Sequence, residues 1–185
     1  HPVGVLITAS LGGGRLLLRN REIEHLEITS RLGEPHRAVI RFDLDTNRSE
    51  NLQDFHGAFS VEIADDSILG GAKAVLFEGV MTGGTQDHQL RGGSRYEVLA
   101  SSRLLFEMER SRRATLFATS FDDAVKGLKL TVIGAPRFKV PANGYRMFGE
   151  TRLEFARRLG DDAGFFLIER DGQAQLRSEF DDARR

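Results

Sequence analysis

Apolar residues recur at every second position through much of the first hundred residues. Val3, Val5 and Ile7 share one parity. Ala38, Ile40, Phe42 and Leu44 form a cleaner series, interleaved with Val39, Arg41 and Asp43. Phe59, Val61 and Ile63 repeat the pattern, as do Tyr96, Val98 and Ala100. A period of two is the signature of a strand buried on one face. Shorter apolar runs at 15–19, at Ile23, Leu26 and Ile28, and at 74–80 read as further strands. Polar breaks separate them: Gly12-Gly13-Gly14, residues 31–34, the loop at 45–54 with Leu52 as an anchor, Asp65-Asp66 with the turn at 69–71, and a hairpin loop from Gly83-Gly84 to Gly92-Gly93. Strands separated by turns at intervals of roughly 10–15 residues suggest a small antiparallel barrel or sandwich. Gly79 inside one strand, and Gly57 just before another, mark places where a sheet bends. That favours a curled barrel over a flat sheet.

Past residue 100 the period changes. Residues 101–113 lack alternation and are rich in Arg and Glu. Phe121, Ala124, Val125 and Leu128 then lie at i, i+3, i+4 and i+7 behind Ser120 and Asp123, which predicts a capped helix. A strand follows at 130–133, ended by Gly134-Ala135-Pro136, and a loop runs through Pro141 and Asn143-Gly144. Thr151 and Glu154 form a second T-x-x-E capping box. Leu153, Ala156, Leu159 and Ala163 make one apolar helix stripe, and Gly164 stands where a left-handed C-cap is needed. The short apolar run at 165–168 and the Asp171-Gly172 turn predict a hairpin, and the tail at 181–185 reads as frayed. The expected fold is therefore β-rich α+β. A small antiparallel β-barrel over residues 1–105 is followed by a small helix-strand-helix-strand-strand unit over 106–185. The boundary is placed between residues 100 and 118.

Composition narrows function mainly by exclusion. With 40% hydrophobic and 29% charged residues and a net charge of −1, the chain has an ordinary globular balance and no global field for nucleic acid or an anionic membrane. There is no cysteine, hence no disulfide, thiolate metal site or cysteine nucleophile. No apolar run approaches the ~18 residues of a membrane-spanning helix. The start lacks a basic stretch and a small-residue cleavage site, so it does not read as a signal peptide. It also lacks an initiator methionine, and the chain is expected to be trimmed or a fragment.

Candidate chemistry is sparse. His1, His25, His36, His56 and His88 show no metal-ligand spacing. Asp43 and Asp45 have the spacing that places two carboxylates on one strand face, where they could share a proton or hold a divalent ion. The simpler reading makes them the outward face of a strand whose inward face holds Phe42 and Leu44. Asp65-Asp66 and Asp161-Asp162 read as turn and helix-end residues. Gly12-Gly13-Gly14 and Gly92-Gly93 lead into strands rather than helices, so neither is a phosphate loop. No serine sits in a G-x-S-x-G elbow. Arg103, Arg110, Arg112 and Arg113 form the one local basic cluster, interleaved with Glu107 and Glu109. It reads as a connector that is solvated or forms an interface. No catalytic, cofactor-binding or metal-binding residue is assigned, and the chain is expected not to be an enzyme. The two competing readings are a barrel that binds a glycan, peptide or nucleic acid, and a small hydrolase built on Asp43 and Asp45.

Three segments in order resemble the baseplate-hub family of contractile tails. That family includes the late control gene D proteins of phages and the base of the type VI secretion spike, VgrG. The barrel pattern is Gly57-Ala58-Phe59-Ser60-Val61-Glu62-Ile63 with Leu76-Phe77-Glu78-Gly79-Val80. The connector pattern is Arg110 to Arg113 followed by Phe117-Ala118-Thr119-Ser120-Phe121-Asp122-Asp123-Ala124-Val125. The third is the stretch from Glu150 through Phe155 and Leu159 to Gly164-Phe165-Phe166-Leu167, in which Arg152 replaces the family's usual acidic residue. The resemblance implies a structural subunit in the tail or injection apparatus, assembled in the bacterial cytoplasm. It implies a ring of copies, usually a homotrimer, with the tail tube above and the spike below. It implies no cofactor, no small-molecule substrate and no membrane. Members of this family usually continue into a second barrel.

Overall fold

The computed structural model describes residues 5–45, 47–48, 56–65, 72–140 and 144–178. His1, Val3, Leu52, Asp66, the turn at 69–71, Pro141, Asn143 and the tail at 181–185 lie outside the described residues. The chain divides into two compact units. One comprises His1–Thr29 and His36–Arg103, the other Ser30–Pro35 and Leu104–Arg185. Each has its own apolar core. The fold is mostly β, as the period-two runs predict.

Among the described residues the first unit is a seven-stranded, curled antiparallel half-barrel. Its strands are β1 (Val5–Leu11), β2 (Leu16–Arg19), β3 (Ile23–Thr29), β4 (Arg37–Leu44), β5 (Ala58–Asp65), β6 (Ala72–His88) and β7 (Ser94–Ser101). They lie in the order β2-β1-β5-β6-β7-β4-β3, every pair antiparallel. The alternation predicted for β4 is the one observed, with Ala38, Ile40, Phe42 and Leu44 buried and Arg41 and Asp43 exposed. Phe42 stacks on its cross-strand neighbour Tyr96 at 5.0 Å.

Two irregularities in β6 curl this sheet. Its register against β5 shifts between Val61 and Glu62, and its register against β7 shifts between Met81 and Gly83. Extra residues of this kind bend a strand and raise its local twist. Gly79 lies between the two shifts, and a Cβ there would overlap the Ser101 carbonyl. The predicted hairpin loop beginning at Gly83-Gly84 is corrected by the structure. β6 continues to His88, with Gly83 opposite Leu99 and Gly84 opposite Val98. Neither glycine takes a positive φ, whereas Gly92 and Gly93 do, at 83° and 81°. The reversal is therefore confined to 89–93, where the Gly92 N–H donates to the Gln89 carbonyl at 3.0 Å.

The second unit contains α1 (Arg103–Glu109), β8 (Ala114–Ala118), α2 (Phe121–Gly127), β9 (Thr131–Ile133), β10 (Tyr145–Glu150), α3 (Arg152–Ala163), β11 (Phe166–Arg170) and β12 (Gln173–Arg177). β10 pairs with β8, and β12 lies between β11 and β9. The capping box on α3 is formed in both directions. The Glu154 N–H donates to Thr151 Oγ1 at 3.2 Å, and the Thr151 N–H donates to Glu154 Oε2 at 2.9 Å. Leu153, Ala156, Leu159 and Ala163 are all buried, and Gly164 closes the helix with φ 74°. Asp171 and Gly172 both adopt positive φ, 52° and 71°, which matches the twist of a tight hairpin. On α2 the predicted face is buried at Ala124, Val125 and Leu128 and half-buried at Phe121.

Three elements escape the sequence patterns: α1, β8 and β10. The segment read as an irregular basic connector contains a two-turn helix. Ser102 precedes it in the position of an N-cap, but its hydroxyl accepts from the His36 N–H at 2.9 Å. The first amides of α1, those of Leu104 and Leu105, donate instead to the two carboxylate oxygens of Glu169, at 3.0 and 2.9 Å.

Candidate functional site

Asp43 and Asp45 do not converge on a shared ion or proton. Asp43 accepts from Arg95 Nε at 3.1 Å, while Asp45 accepts from the Arg48 N–H at 3.1 Å. Arg95 lies across the sheet from Asp43 on one side and Asp87 on the other, with Glu24 at 3.6 Å. These carboxylates hold its guanidinium above the usual arginine range, the Asp43 hydrogen bond first among them. A cleft of about 520 Å³ is lined by Glu22, Glu24, Asp43 and Asp45 but also by Arg21 and Arg48. Opposite charges face one another there, and Arg48 forms an ion pair with Glu22. Among the described residues no group of three or more His, Asp or Glu side chains could hold a metal ion. No described helix is long and apolar enough to cross a membrane.

The glycine turns are equally structural. The N–H groups of Gly12 and Gly13 both donate to the Ala58 carbonyl, so they are not free to cradle an anion. One pair that sequence reasoning missed is Ser94 Oγ with His88 Nδ1, 3.1 Å apart. Ser94 is 1% exposed and also accepts from Gln86, which donates to the Tyr96 hydroxyl too. The group ties down the β6–β7 hairpin; its serine oxygen is beyond the reach of a substrate carbonyl in this conformation. Nothing in the sequence marks it, because its four members touch only once β6 and β7 are paired.

The basic cluster and the late capping box, read separately in the sequence, form one constellation in the second unit. Arg113 clasps Glu154 with two parallel bonds, Nη1 to Oε2 at 3.0 Å and Nη2 to Oε1 at 2.9 Å. Arg113 also donates to the Gly149 carbonyl at 3.1 Å. Ser111 Oγ accepts from the Arg152 N–H at 2.7 Å, at the first turn of α3. The connector thus supplies a hydroxyl and a guanidinium to the helix start. A second clasp lies beside it. Arg158 donates to both oxygens of Glu150, at 3.2 and 2.8 Å, and to the Arg146 carbonyl at 2.5 Å.

The clasps set the electrostatics. The hydrogen bond from Arg158 holds the Glu150 carboxyl below its ordinary range, against the opposing effect of burial. The Thr151 N–H, and then Arg113, do the same for Glu154. Arg158 in turn is raised, first by its hydrogen bond with Glu150. Both carboxylates are therefore ionised and satisfied, and neither suits a proton-shuttling role at neutral pH. The arrangement binds and orients; it contains no activated nucleophile.

No family model matches this chain, and no curated protein matches it. Solved structures do. A tail protein from Neisseria meningitidis MC58 matches over 94% of the chain with TM-score 0.62 and 13% identity. The 43 kDa tail protein of prophage MuSo2 from Shewanella oneidensis matches over 93% with TM-score 0.59 and 13% identity. An E. coli component of the type VI secretion system, described as similar to the T4 bacteriophage tail proteins gp27 and gp5, matches over 97% with TM-score 0.57 and 16% identity. The fold is that of phage-tail and secretion-spike proteins. The likeness runs through both units. The chain spans only about half of each of these structures, covering 50%, 54% and 47% of their lengths.

Tail-like architecture makes the strand edges relevant. A free edge offers unpaired backbone groups to a neighbouring chain. The β3 edge carries Glu24 and Glu27, charges that discourage casual pairing. The β2 edge is four residues long, and Arg48 Nη2 donates to its Leu17 carbonyl at 3.4 Å. Leu17 itself is exposed beside a cleft shared with Leu6, Arg19 and Arg48.

Proposed function

We propose that the chain is a structural subunit of a contractile phage tail or a related injection apparatus, acting at the hub where the tube meets the spike. The observation that carries the reading is the match of 93–97% of the chain, and so of both its units, to phage-tail and type VI secretion structures. The site geometry supports it: among the described residues, Arg113 with Glu154 and Arg158 with Glu150 are spent on clasping one another around the start of α3. In this reading copies of the chain close into a ring, a homotrimer, by head-to-tail contacts. The tube protein stacks on one face and the spike on the other. The subunit performs no turnover and takes no cofactor. It belongs to the virion tail or injection apparatus and assembles in the bacterial cytoplasm.

Light scattering on the purified protein and electron microscopy of the native assembly test this. The expected result is a particle of three times the 20.6 kDa subunit mass, located where the tube ends. A monomer at micromolar concentration, with no density at the tube's end in the native assembly, would overturn the reading.

A further inference from the structure

The turn that joins β2 to β3 builds a basic cleft in the first unit. The cleft holds about 860 Å³, and its walls include Leu6, Leu17, Arg19, Arg21, Glu22 and Arg48. Three guanidiniums therefore face one carboxylate, and Arg48 is the one paired with Glu22. Among the described residues neither Arg19 nor Arg21 joins an ion pair. Two positive charges are left over. Beside them Leu17 is 54% exposed and Leu6 half-buried, so the same cleft has an apolar wall. The turn itself is fixed from within. Asn20 Oδ1 accepts from the Ile7 N–H at 2.5 Å, the Glu22 N–H donates to the Arg19 carbonyl at 2.8 Å, and Glu22 Oε2 accepts from the Arg19 N–H at 3.1 Å. A cleft ordered in advance loses less freedom on binding. The carbonyls of Leu17 and Arg19 are both taken, the first by Arg48, so an added strand finds little to pair with along β2. A partner is read here by side chains.

We infer that this cleft docks a short acidic segment of a partner protein, with carboxylates on Arg19 and Arg21 and an apolar side chain against Leu6 and Leu17. A guanidinium matches a carboxylate with two parallel bonds, which fixes position as well as charge. The surroundings limit the occupant. The adjoining cleft shares Arg21, Glu22 and Arg48 but adds Glu24, Asp43 and Asp45. Arg95 holds Asp43 and stands 3.6 Å from Glu24, and the Arg48 N–H donates to Asp45. Negative charge on an occupant is therefore favoured within the basic cleft and opposed just beyond it. A peptide can confine its carboxylates to two adjacent positions and continue uncharged. A nucleic-acid strand carries a charge at every phosphate and cannot. Among the described residues no aromatic ring lines the cleft, so bases would also lack a stacking platform. The inference goes beyond the hub reading and does not depend on it.

Fluorescence anisotropy with the full chain tests it. The probe is a dye-labelled peptide with Leu-Glu-Glu-Leu at its centre and Gly and Ser on either side. Beside it stand the same peptide with Gln for Glu and an oligothymidylate of equal length. The acidic peptide should bind saturably, and the Gln peptide about tenfold more weakly. Arg19→Gln, Arg21→Gln and Leu17→Ser should each weaken binding by about tenfold, as truncation of an anchor does. Arg146→Gln, an exposed cation of the other unit, should leave binding unchanged. Circular dichroism should show all four variants folded, since each altered side chain is exposed. No binding of the acidic peptide, equal weakening by Arg146→Gln, or tighter binding of the oligothymidylate would overturn the proposal. Unchanged binding by Leu17→Ser would do so too, since charge attraction alone would then hold the peptide. So would sedimentation showing that Leu17→Ser dissolves a self-assembled oligomer while peptide binding persists, because the occupant would then be a second copy.

Discussion

Arg113 and Glu154 stand 41 positions apart and meet through two parallel N–H···O bonds of 3.0 and 2.9 Å. The same carboxylate closes the capping box with Thr151, so one side chain both starts α3 and anchors the connector after α1. These two roles separate by substitution. Arg113→Ala should lower the melting temperature modestly, because the capping box survives it and the pair is solvent-screened. Glu154→Ala should lower it more, since it removes the clasp and the cap together. The double variant should be little worse than Glu154→Ala, because only the Arg113 bond to the Gly149 carbonyl is left for it to remove. Equal and additive effects of the two single substitutions would show that the clasp and the cap are independent.

Gly79 tests the curl of the half-barrel. The residue needs no positive φ, so an alanine there meets no local backbone penalty. It meets instead the backbone carbonyl of Ser101, which cannot rotate away as a side chain would. Gly79→Ala should therefore destabilise by about 1–3 kcal/mol, the usual cost of overpacking, or more if β6 and β7 separate. Urea denaturation reads this directly. Gly83→Ala is the control, as a Cβ there meets nothing within 4 Å. Equal midpoints for the two variants would mean that β6 and β7 do not approach as closely as described.

The parts of the fold legible in the sequence are those settled by neighbours a few positions away. The parity of Ala38 to Leu44, the Thr151–Glu154 box and the Asp171-Gly172 turn each need only local partners. α1 was hidden because its cap arrives from Glu169, 64 positions from Leu105, after Ser102 is diverted to His36. The sequence pattern ends β6 early at Gly83 because a glycine pair looks the same in a turn and in an extended strand; the pairing partner, β7, decides. The candidate site was half visible. The basic cluster and the capping box both stood out, but their union through Arg113 and Glu154 is a tertiary event.

Leu159 sits at the centre of the second core. It is fully buried on the α3 stripe, in one cluster with Tyr145, Met147, Phe165 and Leu176. Leu159→Ala should cost about 2–5 kcal/mol through lost burial and the cavity left behind. Leu159→Asp places a carboxylate with no partner in the same cluster, and soluble folded protein should be lost. Expression and solubility followed by thermal denaturation check both variants. A cooperative melt for Leu159→Asp at the wild-type temperature would show that this face of α3 does not meet the core.

Acid should loosen the second unit by a predictable route. Glu150 is held below its ordinary range, by Arg158 first, and Glu154 likewise, by the Thr151 N–H first. Asp123 on α2 is lowered too, by the Thr119 hydroxyl and then Ser120. A carboxyl with a lower folded than unfolded value releases its proton more readily when folded, so the unfolded chain binds more protons as pH drops. The stabilisation is therefore whole above the unfolded Glu value of about 4.3 and is lost as pH falls through the folded values. The urea midpoint should hold steady from neutral pH down to about 5 and decline below that. In the Glu150→Gln, Glu154→Gln double variant the midpoint should start lower at neutral pH, where the clasps are already broken, and decline less steeply in acid. Asp123 leaves a residual slope in that variant. An acid decline of undiminished steepness would place the responsible carboxylates elsewhere in the chain.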